Sequence, residues 1–158
     1  MTTTCRLCGA TDLVSVLDLG ASPPCEAFLP AEALDAAEAT YPLHLRLCPS
    51  CLLLQIPALI LPDETFVDYA YYSSYSTSWV EHARQFVASS IEKLGLGPDS
   101  FVVEVASNDG YLLQHVVAEG IRCLGIEPSV NVGRAAFEKG VPTLNAFLDE
   151  ELATATAA

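Results

Sequence analysis

The hydrophobic and polar positions change rhythm along the chain. From Leu13 to Leu19, and again from Tyr41 to Leu47, apolar residues alternate with polar ones, the two-residue period of a half-buried strand. Between these segments, 31–39 is rich in alanine and acidic residues and predicts a short helix. The apolar run from Leu52 to Leu61, interrupted by Gln55 and Pro57, is far shorter than the ~20 residues of a membrane helix. It reads as a buried strand or packing segment. Further on, Ser76 or Thr77 can cap a helix in which Trp79, Ala83, Phe86, Val87, Ile91 and Leu94 recur at helical spacing until Gly95 and Gly97. Trp79, Phe86 and Val87 are expected to face a core, and His82 to be a surface or capping group.

From residue 101 strands and helices alternate. Phe101 to Ala106 is rich in β-formers and predicts a strand buried on both faces, as in a parallel sheet. Ser107-Asn108-Asp109-Gly110 suits a tight turn. A helix over Tyr111–Ala118 ends at Gly120, a second strand spans Arg122–Ile126, and a second helix over Val130–Glu138 stops at Gly140. Val141–Leu144 begins a third strand, and Glu150–Ala158 is a helix that starts and fades. This order opens a doubly wound fold, whose ligands sit beyond the carboxyl ends of the strands. The fold class is α/β, with expected divisions at 1–57 (mostly β subdomain), 58–97 (connecting segment and helix) and 98–158 (partial Rossmann-like domain).

Composition narrows the function classes. With 51% hydrophobic and 17% charged residues among 158, the chain is not disordered, and its length excludes a large two-lobed enzyme. Twenty acidic residues against seven scattered basic ones give a net charge of −13. That balance speaks against nucleic acid, whose binding draws on clustered Lys and Arg. The first residues lack the basic start and apolar region of a secretory signal, so a cytoplasmic protein off the membrane is expected.

The six cysteines carry more information in their spacing than in their number. Cys5-x2-Cys8 and Cys48-x2-Cys51 can each turn two thiolates to one side, and facing turns supply the four soft ligands of a structural zinc site. The 39 residues between the pairs make the metal clamp a subdomain rather than a hairpin. Reduced surface thiols or a redox pair are the alternatives, but neither pair opens a helix in a βαβ unit. Cys25 and Cys123 have no partner at ligand spacing and read as buried thiols.

Two further features suggest a ligand. Tyr69, Tyr71, Tyr72 and Tyr75, interleaved with serines in the stretch that starts at Asp68, form either a packed lid or the wall of a polar pocket. Glu127, at the tip of the second strand and 17 residues after Gly110, stands where a carboxylate takes ribose hydroxyls in Rossmann-like sheets. The loop Ala106–Gly110 has one glycine where pyrophosphate binding wants G-x-G-x-x-G. An Asp109 facing the site would repel phosphates and suit the amino group and sulfonium of S-adenosylmethionine.

Taken together these blocks resemble the S-adenosylmethionine-dependent sugar C-methyltransferases, which join an N-terminal zinc-binding domain to a class I methyltransferase domain. The residues are Cys5-x2-Cys8, Leu17-Asp-Leu-Gly20 with Pro23–Phe28, Tyr41–Cys51, Tyr69-x-Tyr71-x-Ser73-Ser74-x-Ser76, Val103–Gly110 and Gly125-Ile-Glu-Pro-Ser129. The resemblance implies zinc on Cys5, Cys8, Cys48 and Cys51. It implies a methyl donor held by Tyr71, Ser74, Glu104, Ala106, Ser107, Asn108, Asp109, Gly110, Glu127 and Pro128. The implied substrate is a nucleotide-linked keto-deoxysugar, methylated at carbon after a base removes the proton beside the keto group. In the family the catalytic Tyr, Glu and His segment lies downstream of these motifs, so an N-terminal portion without the catalytic base is expected. A noncatalytic zinc-binding interaction module, self-associating through an exposed sheet edge, and a fragment of an NAD-dependent oxidoreductase are the other readings.

Overall fold

The computed structural model describes residues 4–60, 66 and 69–157. Leu61, Asp68 and Ala158, which belong to three of the segments above, lie outside them. The chain divides into two compact units, Met1–Thr65 and Phe66–Ala158.

The first unit is a three-stranded antiparallel sheet in the order β1 (Val14–Ser22), β2 (Tyr41–Leu47) and β3 (Leu54–Gln55). Register shifts interrupt the β1–β2 ladder between Ser15 and Leu17 and between Asp18 and Ala21. At the second, the Asp18 carboxylate accepts the Gly20 N–H at 2.9 Å, the local bond that stabilises a bulge. The expected helix at 31–39 shrinks to one 3-10 turn, Ala31–Ala33. Pro30 offers no side-chain cap, and none of the turn is buried, so neither capping nor packing offsets the cost of a helix nucleus. The run from Leu52 is a second departure: only Leu54–Gln55 is strand, and Leu52, Leu54, Ile56 and Leu59 are exposed. Cys25 is exposed as well, on the wall of a cavity of about 710 Å³ that Phe28, Pro42, Ile56 and Leu59 also line.

The second unit is a parallel sheet in the order β4 (Phe101–Val105), β5 (Arg122–Ile126) and β6 (Thr143–Leu144). Helix α1 (Thr77–Leu94) is capped by the Ser76 hydroxyl, which accepts the Trp79 N–H, and ends at Gly95. Helices α2 (Leu113–Ala118) and α3 (Val130–Glu138) connect the strands, and α4 (Glu150–Ala157) follows β6. The core joins Val87 of α1, Leu113 and Val116 of α2, Ile121, Cys123 of β5, Ala136 of α3 and Val141. The connecting helix is therefore part of this unit. Its buried stripe is Ala83 and Val87, whereas Trp79 and Phe86 are exposed, contrary to the sequence expectation.

Strand β4 corrects another expectation. Only its Val102 face packs on the core; Phe101, Val103 and Val105, which alternate to the other face, are about half exposed. Same-handed crossovers running one way across a sheet put their helices on one side, and α2 and α3 both contribute to the single core cluster. Among the described residues, β4 has a neighbour on one side only.

Candidate functional site

The two cysteine pairs form matching turns. In the first, Gly9 N–H donates to Cys5 O (2.9 Å) and Cys5 N–H to Ala10 O (2.8 Å). In the second, Leu52 N–H donates to Cys48 O (2.8 Å) and Cys48 N–H to Leu53 O (2.9 Å). Each turn needs a left-handed residue just after its second cysteine: Gly9 at φ 74°, and Leu52 at φ 64°. Leucine there bears a Cβ penalty that glycine does not.

These turns bring four sulfurs within 4.8 Å of one another. Cys5 Sγ lies 3.5 Å from Cys51 Sγ, and Cys8 Sγ 3.6 Å from Cys48 Sγ. A disulfide needs about 2.05 Å, and all four cysteines are free. A tetrahedron of ~2.3 Å zinc–sulfur bonds separates its sulfurs by about 3.8 Å, so the cluster fits zinc.

Its electrostatics point the same way. The Cys8 backbone N–H, with help from Leu7, holds the Cys5 thiol down to about 6, and the Cys51 and Ser50 N–H groups lower Cys48. Although the Leu53 N–H favours its thiolate, burial and the three neighbouring sulfurs push Cys51 up to about 12. Cys8 is raised despite the Ala10 N–H, as Cys48, burial and Cys5 outweigh it. Four thiolates cannot share so small a volume without a cation, which a dication supplies.

In the second unit a cavity of about 560 Å³ opens at the carboxyl ends of the strands, within the size range of small-molecule sites. Of the ten residues implied for a cofactor, Tyr71, Ala106, Asn108, Glu127 and Pro128 line it. The buried Glu127 carboxylate accepts the Asn108 N–H at one oxygen and the Ser129 N–H at the other, both at 2.9 Å. Each oxygen keeps a further lone pair. Ala106 and Asn108 hold left-handed backbones, φ 58° and 51°, as the loop wraps the end of β5. Ala106 and Ser107 N–H both donate to Ile126 O.

The other five are placed elsewhere. Ser107 is fully buried against Gly125, where any Cβ would strike its hydroxyl. Gly110 packs on Val141 and Ala136. Glu104 sits on β4 beneath the loop with Oε2 buried and unpartnered, and burial raises it to about 7. Asp109, 1% exposed, does not face the cavity. Its carboxylate bonds the Ser74 hydroxyl and takes Lys139 Nζ at 2.7 Å, so its charge is spent inside the fold and Ser74 is spent with it.

That pair is half of a clasp on the tyrosine segment. Asn108 takes the Ser73 N–H (2.8 Å) and donates to Tyr71 O (3.1 Å), while Asn131 takes the Tyr69 N–H (3.2 Å) and donates to Tyr69 O (2.8 Å). Two side-chain amides thus hydrogen-bond the chain as a neighbouring strand would. They hold Tyr69, Tyr71 and Ser73 as one wall of the cavity.

Sequence reasoning missed Phe66, Tyr111, Ala146, Phe147 and Leu148, which also line the cavity. The last three directly follow β6, and the rule that ligands sit past the carboxyl ends of parallel strands, applied to the third strand, points to them.

Residues 5–66 match a family described as "Putative zinc binding domain" of the methyltransferases. The chain is also 33% identical over 154 residues to the C-methyltransferase NovU of Streptomyces niveus, covering 95% of this chain and 37% of that protein. Nearly the whole chain is thus similar to part of a C-methyltransferase. The resemblance read from the motif order is thereby shown, and the chain spans little over a third of the length of the curated relative it matches. No helix among the described residues is long and apolar enough to cross a membrane.

Proposed function

We propose that this chain holds the zinc and the methyl donor of an S-adenosylmethionine-dependent C-methyltransferase acting on a nucleotide-linked keto-deoxysugar in the cytoplasm. The observation that carries this reading is the cavity beyond β4–β6. Its wall joins the Glu127 carboxylate to Phe66, Tyr69, Tyr71, Tyr111 and Phe147, and no Lys or Arg is among the described lining residues.

A ribose diol suits the free lone pairs of Glu127. Aromatic faces suit a sulfonium, whereas a pyrophosphate would meet a carboxylate and no cation. The preference for a cationic donor therefore rests on this wall rather than on Asp109, and it weighs against the NAD-dependent alternative. S-adenosylmethionine would supply an electrophilic methyl group. The residues of this chain bind and orient it, with Glu127 toward the ribose and Tyr71 toward the methionine end. The base that acts on the sugar is assigned to no residue here.

Calorimetry of the zinc-loaded chain tests this. S-adenosylmethionine should bind and NAD should not. Glu127→Gln should weaken binding by about 10- to 100-fold, the worth of hydrogen bonds to a charged group. Ala146→Leu, which fills the cavity without touching the loop, should weaken it as well. Binding of NAD alone, or indifference to both substitutions, would overturn the reading.

The open face of β4 favours one second reading, a noncatalytic zinc-binding module that self-associates through Phe101, Val103 and Val105. Sedimentation that stays monomeric at high concentration would exclude it.

A further inference from the structure

Among the described residues of the first unit three are buried: Cys5, Cys48 and Gln55. Two are zinc ligands by the geometry above. The third is a neutral amide, 3% exposed, in a unit with almost no other interior.

The orientation of Gln55 is fixed. Its Oε1 accepts the Arg6 N–H at 3.1 Å, inside the turn between Cys5 and Cys8. The opposite orientation would set two donors against each other. Nε2 is therefore directed elsewhere, and it is buried without a hydrogen-bond partner. Arg46, opposite Gln55 in the β2–β3 ladder, has only donors to offer. Through the Arg6 bond the amide is held against the turn whose first residue is the buried Cys5.

We infer that Gln55 is a positioning residue of the metal centre: its amide N–H donates to the Cys5 thiolate while its oxygen fixes the Arg6 backbone, tying β3 to the first cysteine turn. A thiolate bound to zinc keeps substantial negative charge, and an N–H directed at it orients the sulfur and spreads that charge. Outer groups of this kind typically change metal affinity 10- to 100-fold. The inference rests on zinc binding by the four cysteines, so cobalt(II) uptake by the unaltered chain, with its sulfur-to-cobalt absorption, is measured first. Failure there would overturn the metal centre itself rather than the role of Gln55.

The test uses the full chain. Gln55→Leu removes both bonds. Gln55→Glu keeps the size and an oxygen for Arg6 but loses the donor, so it carries the test if the leucine variant does not fold. Both should lower zinc affinity about 10- to 100-fold in chelator competition. In the cobalt form, Gln55→Leu should move the charge-transfer band to lower energy, because a sulfur without its N–H donor is easier to oxidise. A band that stays in place, or full zinc affinity in Gln55→Glu, would overturn the inference, since a purely structural glutamine would leave the sulfur unchanged.

Discussion

The two units solve the problem of holding a chain together in different ways. Among the described residues of the first, burial is confined to Cys5, Cys48 and Gln55, while Val14, Val16, Leu17 and Leu19 of β1 are exposed. In the second, Leu113, Val116, Ile126, Val132 and Val141 are enclosed in the ordinary way. A sheet without an apolar interior needs a cross-link, and four converging thiols provide one. A packed sheet can spend its polar groups on a ligand cavity instead.

The contrast breaks most visibly when metal is withdrawn. A strong chelator, or Cys48→Ser, should unfold the β1–β3 sheet outright, because zinc-binding free energy there is folding free energy. The second unit should persist. Amide exchange resolved by residue checks this: 14–55 should lose protection while 101–126 keeps it. Equal loss in both units would mean that the second also depends on the metal.

A smaller effect is expected where the second unit departs from apolar packing, at the buried Asp109 and Lys139. Removing one partner of a buried pair strands the other. Lys139 is a third exposed, so Lys139→Met should cost about 2 kcal/mol, below the 3–5 of a fully buried pair. Amides of Ser73 and Ser74, held by Asn108 and Asp109, should exchange faster. Adding Asp109→Asn should restore part of the stability. No restoration would mean that Lys139 acts through packing and not through charge.

The same division governs what was legible in the sequence. The cysteine spacing exposed the metal centre because chemistry, not packing, dictates it. Strands β2 and β5 and helix α3 matched their periodicity residue for residue. Periodicity failed where burial depends on which face a neighbour covers: Phe86, Leu52 and the outer face of β4 are apolar but exposed. The surroundings of Asp109 were hidden for a related reason. Its role depends on Lys139, 30 residues away, and no local pattern records that partner. Gln55 looked like an interruption in an apolar run, although a polar residue in such a run is the signal of a buried, bonded group.

The subtlest difference between the units is the sign of their response to pH. Burial lifts Glu104 from the ordinary 4.5 to about 7. Below about 4.5 it is protonated both folded and unfolded, and its contribution is fully present. As pH rises, the unfolded chain ionises first, so stability declines until the folded group also ionises near 7. The full shift would correspond to roughly 3 kcal/mol. Glu104 is only partly enclosed, and solvent screening reduces this to about 1–2 kcal/mol. The single tryptophan, Trp79, stacks on Tyr111 in this unit at 6.1 Å, so its fluorescence reports this transition alone. Denaturant melts followed at Trp79 should show stability falling between about pH 4.5 and 7, and Glu104→Gln should flatten the profile and raise its upper end. The zinc unit should do the reverse, gaining stability with pH as its cysteines lose protons to the metal. A slope at Trp79 that survives Glu104→Gln would move the buried acid of this unit elsewhere and leave the two profiles without opposite causes.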